Sequence, residues 1–110
     1  MPSSYNIYKS ANNQYYFNLT ADNNEKILAS EMYPAKAGAL SGIESVKVNS
    51  PNDARYSRKQ SSDGKHYFVL VAMNNEPIGK SETYNTPQAM EIGIAAVKRY
   101  GPNAPTRDLS

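Results

Sequence analysis

A chain of 110 residues, 39% hydrophobic and 20% charged, with nine Tyr and two Phe to fill a core, has the length of one compact domain. Zero Cys excludes disulfides, thiolate metal sites and Cys nucleophiles, and a single His excludes a multi-His metal centre. A net charge of +2 does not by itself imply nucleic acid, and no apolar run reaches the roughly 20 residues of a membrane span. The start, Met1-Pro2-Ser3-Ser4-Tyr5, lacks the positive and apolar stretches of a secretory signal, so a cytoplasmic location is expected. Residues 5–9 read as a first strand, followed by the turn residues Asn12-Asn13. Residues 15–21 alternate, with Phe17, Leu19 and Ala21 on one side and Tyr16, Asn18 and Thr20 on the other. That period of two belongs to a strand with one buried face. Asn23-Asn24 tolerates the positive φ of a tight hairpin, and residues 26–30 return as the next strand. The stripe Ala39, Ile43, Val46 predicts a helix between Pro34-Ala35 and Ser50-Pro51. Ala35 offers no side-chain cap, and Gly38 and Gly42 lower helix propensity, so this helix is expected to fray before the later one.

The same succession then recurs. Residues 55–60 read as a strand, Asp63-Gly64 as a turn, and Phe68, Leu70 and Ala72 alternate with Tyr67, Val69 and Val71. Asn74-Asn75 forms the hairpin; Pro77, without an N–H, begins the next strand or places it at an edge. Thr86 caps a helix whose first position suits Pro87, whose stripe is Met90, Ile94, Val97, and which Gly101-Pro102 ends. Residues 106–109 read as a last strand. A shift of 51 residues superposes Tyr16-Phe17-x-Leu19-x-Ala21-x-Asn23-Asn24-Glu25-x-Ile27 on Tyr67-Phe68-x-Leu70-x-Ala72-x-Asn74-Asn75-Glu76-x-Ile78 without a gap. Ser30-Glu31-x-Tyr33, Gly42-Ile43-x-x-Val46-Lys47 and Pro51-Asn52 also return, and Tyr5 matches Tyr56. The chain is one unit written twice, residues 5–55 and 56–110, joined without a linker into a single domain over residues 1–110. The expected class is α+β: one mainly antiparallel sheet with two helices on one face. The shared Gly42 and Gly93 point to close approach of helix and sheet.

These motifs resemble the YegP-like family, small bacterial domains of about fifty residues often found in tandem, whose function is unknown. The resemblance covers nearly the whole chain, in two copies. It implies tandem β3-α-β units that share a sheet and exchange their final strands, here residues 54–60 and 105–109. It implies no activity. The family often has Asn-Gly at the hairpin, where both copies here have Asn-Asn. Ala35 replaces the usual hydroxyl residue, and Lys36 becomes Pro87 in the second copy, which confines any role of that lysine to the first half.

No motif assigns chemistry. His66 lies beside Lys65 at a strand start and reads as a surface histidine. Glu31 and Glu82 could echo a glycosidase pair, but Ser-Glu before a helix more simply satisfies backbone donors at the helix start. Phosphate-binding glycine loops are absent, and Asp22-Asn23-Asn24-Glu25 lacks calcium-loop spacing. No catalytic, cofactor-binding or metal-ligating residue is assigned, and no cofactor is expected. What stands out is the sheet face that two helices leave open. Tyr8, Tyr16 and Tyr67 are its expected aromatic anchors and Lys59 its charged contributor, with Asn18, Thr20, Val69 and Val71 between them. Arg55, Arg58, Lys59, Lys65 and His66 make the middle of the chain locally basic. The expectation is a non-enzymatic module that binds a protein or small ligand on this face. A homodimer through the same face is a further option; the alternative is weak single-stranded nucleic-acid binding by stacking on the aromatics. No membrane partner is expected.

Overall fold

The computed structural model describes residues 2–110. It runs β1 (Ser4–Lys9), β2 (Tyr15–Thr20), β3 (Lys26–Ser30), α1 (Lys36–Asn49), β4 (Tyr56–Gln60), β5 (His66–Val71), β6 (Pro77–Lys80), α2 (Pro87–Tyr100) and β7 (Thr106–Asp108). A 3-10 turn at Asp53–Arg55, which the sequence pattern did not mark, leads into β4. The seven strands make one sheet in the order β4-β5-β6-β3-β2-β1-β7. Pro77 begins β6, as its missing N–H requires, yet β6 is central rather than an edge. The halves meet where Ala29 pairs with Lys80 and Ser30 with Gly79. Ala29 and Lys80 are counterparts under the 51-residue shift, so a pseudo-twofold axis passes through that pair.

The strand after each helix joins the other unit: β4, which follows α1, opens the second half and pairs with β5, and β7, which follows α2, crosses to pair with β1 of the first half. All pairings are antiparallel except β7 on β1, which is parallel, so the sheet is mixed. Alternation sets the faces. Phe17, Leu19, Phe68 and Leu70 are fully buried beneath Ile43, Val46, Met90, Ile94 and Val97. Each such side chain contributes roughly 1.5–3 kcal/mol through removal from water. Asn13, Asn24 and Asn75 take positive φ at the turns, where asparagine is tolerated. Thr20 lies on the open face, paired with Ser4, but is buried there, with its hydroxyl donating to the Ser4 carbonyl and its carbonyl accepting from the Ser3 hydroxyl.

Tyr5 and Tyr56 form a cross-clasp. The Tyr5 hydroxyl, from β1, donates to the Gly101 carbonyl at the end of α2 at 2.5 Å. Tyr56, from β4, donates to the Ser50 carbonyl at the end of α1 at 2.7 Å. Each satisfies a carbonyl that the helix itself leaves free, and each ring packs edge-on against the Phe of its unit. Gly42 and Gly93 make room for more than the expected approach of helix to sheet. A Cβ at either would strike the hydroxyl end of a tyrosine ring, Tyr33 or Tyr84, laid across the helix. At Gly42 it would also come within 2.9 Å of Phe17.

Ser30 and Ser81 do not cap helices, contrary to the expectation for Ser-Glu. Their hydroxyls accept from the Phe17 and Phe68 amides at 2.8 and 3.0 Å and donate to the carbonyls of Glu31 and Glu82. They supply a side-chain rung where the strand ladder ends. The cap of α2 is Thr86, accepting from the Ala89 amide at 3.0 Å, while α1 has no side-chain cap.

Lys36, the residue without a counterpart, holds β7. Its ammonium lies 2.7 Å from Asp108, and also over the Tyr15 ring. Hydrogen bonds from Lys36 and Ser110 hold the Asp108 carboxyl down at about 2. A depressed carboxyl contributes stability above its unfolded value and loses it as pH falls through its folded value. Docking of β7 is therefore expected to be complete above pH 4 and to weaken progressively towards pH 2. Amide shifts of residues 106–109 in an acid titration check this. Lys36→Gln should move the Asp108 midpoint upward, and an unmoved midpoint would exclude the pairing.

Candidate functional site

Backbone register decides which side chains share the open face, because directly paired residues point the same way. Tyr8 pairs with Tyr16, and their rings stack at 5.3 Å and 25°. Lys59 pairs with Tyr67. These are the same two positions of the unit, since Lys59 is the counterpart of Tyr8 and Tyr67 of Tyr16. The four expected residues thus lie on the face opposite the helices, but as two separate pairs. β2 and β5 are three strand spacings apart in the sheet, roughly 14 Å.

The basic stretch divides between the faces. Arg58 pairs with Phe68 and points to the helix side, where it meets Glu91 at 2.6 Å and Asp53 at 3.0 Å. Lys98 reaches the same Asp53 at 2.6 Å. Hydrogen bonds from Lys98 and Arg58 hold the Asp53 carboxyl below the usual carboxylate range. Arg55 donates to the Ala72 carbonyl. Arg58 and Arg55 are therefore structural, and Lys59 alone of the Arg55-Arg58-Lys59 group remains for the open face.

The two halves of the open face differ in kind. In the first half, Ser4, Asn6, Asn18 and Thr20 form a hydrogen-bonded polar ladder, with the Asn6 amide donating to the Asn18 oxygen at 2.9 Å. In the second half, the counterparts of Asn18 and Thr20 are Val69 and Val71. There the face is concave: a groove of ≈ 440 Å³ has Val69, Val71 and Pro77 among its lining, with Lys59, Lys80 and Glu31 as its charged groups. Lys80 pairs directly with Val69 and is exposed. Neither Lys59 nor Lys80 makes an ion pair among the described residues. Lys80 was missed in the sequence; its register opposite Val69 is what places it on this face, and the first copy has Ala29 there.

His66 is half-buried. Its backbone pairs with Tyr84, and its ring makes no side-chain hydrogen bond among the described residues. Glu82 is engaged by Lys26 at 3.3 Å, across the seam between the halves. No group of three or more metal-ligating side chains occurs among the described residues, and none of the helices is long and apolar enough to cross a membrane.

Comparison with known proteins extends these observations. A family model described as a domain of unknown function, DUF1508, matches twice, at residues 10–57 and 61–108. A UPF0339 protein of Bordetella pertussis is 52% identical over 106 residues, 96% of each chain. The UPF0339 protein YegP of Escherichia coli K12 is 45% identical over 108 residues, 98% of each chain. The solution NMR structure of yegP from E. coli, a protein of unknown function, superposes with a TM-score of 0.93, covering 99% of this chain and 94% of that one at 45% identity. A UPF0339 protein of Shewanella oneidensis gives 0.92 at 43% identity, covering 99% and 92%.

Proposed function

We propose, from the premise that this chain belongs to the DUF1508 family, which has no assigned activity, that it is a non-catalytic recognition module of the bacterial cytoplasm. Its ligand would sit on the open sheet face. The observation that carries this reading is the groove in the second half: an apolar lining of Val69, Val71 and Pro77 beside two lysines, Lys59 and Lys80, that make no ion pair among the described residues. Its volume falls in the range of small-ligand sites. Glu31 offsets one of the two cations, so the groove keeps a net positive charge. That chemistry fits a small molecule with an apolar body and one anionic group. The non-catalytic part of the reading is supported by Glu82 being engaged by Lys26 at 3.3 Å and by the His66 ring making no side-chain hydrogen bond among the described residues.

Titration of the ¹⁵N-labelled chain with octanoate tests this. Saturable amide shifts are expected at Val69, Val71 and Lys80, and the paired change Lys59→Gln with Lys80→Gln should weaken binding about tenfold. Shifts that are absent, or that survive the paired change, would remove the reading. A second reading, single-stranded nucleic acid, is favoured by one feature: the stacked Tyr8–Tyr16 pair on the same face as Lys59 and Tyr67. It expects oligothymidylate binding that falls steeply with salt and is lost on Tyr16→Ser with Tyr67→Ser.

A further inference from the structure

A second groove lies on the opposite side of the molecule, between the hairpin that joins β2 to β3 and helix α2. It measures ≈ 470 Å³ and is built from both halves. Its wall on α2 is a single helical stripe that includes Ile92, Ala96 and Tyr100. The Tyr84 ring lines it, and Asp22 and Glu25 are its only charged lining residues among the described residues. Ile92 is 72% exposed, a large apolar side chain in water.

Two observations set this groove apart from mere surface. The first is its difference from its own repeat. The 51-residue shift carries Ile92, Ala96 and Tyr100 onto Ser41, Ser45 and Asn49, and Asp22 onto Met73. Tyr84 and Glu25 keep their identities in Tyr33 and Glu76, as do the buried Phe and Leu positions. The copies agree on the scaffold and differ at the wall. In α1 the corresponding Asn49 turns back to bond the Ser45 carbonyl at 2.8 Å and presents no apolar surface.

The second is charge. The chain carries +2 overall, yet this groove is acidic. Asp22 is held by two donors, the Tyr100 hydroxyl at 3.2 Å and the Ser3 amide at 3.3 Å. Neither Asp22 nor Glu25 makes an ion pair among the described residues: Lys26 pairs with Glu82, and Arg99 stacks on the Tyr100 ring at the groove's edge. Burial, with the charges of Glu25 and Glu82, pushes the Tyr84 hydroxyl up, which marks the same negative field from inside.

We propose that this groove binds a small apolar amine, its protonated nitrogen held by Asp22 and Glu25 and its hydrocarbon part laid against Ile92, Ala96 and the Tyr84 ring. The ammonium satisfies carboxylates that have no ion-pair partner among the described residues, and the face of Tyr84 favours a cation. The apolar wall supplies the area that charge alone does not. This inference does not depend on the open-face reading, which calls for a ligand of opposite charge on a different surface.

Titration of the full chain with n-hexylamine, followed by ¹H–¹⁵N spectra, tests it, with hexanol and hexanoate as matched probes. Saturable shifts are expected at Glu25, Gly93 and Ala96 for the amine. Glu25→Gln with Asp22→Asn should weaken the amine about tenfold. Ile92→Lys alters an exposed position, leaves the core untouched and places a competing ammonium in the groove, so it should abolish the shifts. Equal shifts from hexanol, no saturable shift at millimolar amine, or amine binding that survives Ile92→Lys would each overturn the proposal.

Discussion

Tyr5→Phe and Tyr56→Phe are each expected to destabilise the fold by about 1–3 kcal/mol, although each removes a single oxygen. The rings lie in the core, with Tyr5 at 0% and Tyr56 at 6% exposure, so no solvent stands ready to replace the lost donor. The carbonyls of Gly101 and Ser50 would be left without the hydroxyls that now reach them. Urea denaturation should show a lower midpoint with an unchanged slope. A high-pH limb gives an independent readout. Burial above all raises both hydroxyls far above their ordinary value of 10.0, with Tyr56 and Glu44 adding to the rise of Tyr5 and Asp53 to that of Tyr56. A group whose folded value is raised contributes its full stability below the unfolded value and loses it as pH climbs. The wild-type chain should therefore weaken above about pH 10, and each Phe variant should do so less steeply. Variants within 0.5 kcal/mol of wild type would mean that the clasp is incidental.

The second large effect is expected where the two helices end against each other. Ser50 and Gly101 are counterparts under the repeat, yet only one carries a side chain. Gly101 has φ −55, a conformation open to any residue, so its backbone does not demand glycine. Space does: a Cβ there would lie 2.5 Å from the Ser50 hydroxyl, 2.8 Å from its Cβ and 2.7 Å from the Val97 carbonyl. Gly101→Ala should cost about 1–3 kcal/mol through overpacking. Ser50→Gly removes two of those three contacts, so adding it should recover part of the loss, the Val97 contact remaining. The double-mutant cycle should give a coupling of about 0.5–3 kcal/mol; additivity would refute the account. Ser50 also buries a hydroxyl oxygen with no partner among the described residues. Ser50→Ala, which keeps the Cβ and drops that oxygen, should be neutral or stabilising.

The elements were legible wherever one residue's preference decided the outcome. Alternation assigned Phe17, Leu19, Phe68 and Leu70 to the core, Thr86 and Pro87 marked the start of α2, and the Asn-Asn pairs marked the hairpins. What remained hidden depends on partners far away in sequence. Tyr5 and Tyr56 were visible as a matched pair, but a hydrogen bond spanning 96 residues leaves no local trace. Gly42 and Gly93 were marked as contact positions, and the approach to the sheet is there at Gly42 through Phe17, but the tyrosine rings laid across both glycines left no local trace. Arg58 and Lys59 are neighbours in a basic stretch, and strand alternation sends them to opposite faces. Tyr8, Tyr16, Lys59 and Tyr67 lie opposite the helices as alternation implies, but the concavity there was not legible. Its lining has Val69 and Val71 where the first copy has Asn18 and Thr20, and Lys80 where it has Ala29.

The way β7 crosses from α2 to the first half bears on how such a chain can arise. A lone fifty-residue unit of this design would form three strands and a helix, and the strand leaving that helix would have no partner of its own to join. It could complete its sheet only by lending that segment to another molecule and borrowing one in return. Joining two units in tandem turns an exchange between molecules into one within a chain, independent of concentration. It also fixes which copy gives and which receives, and so frees the two to drift apart on their surfaces while their interiors stay alike.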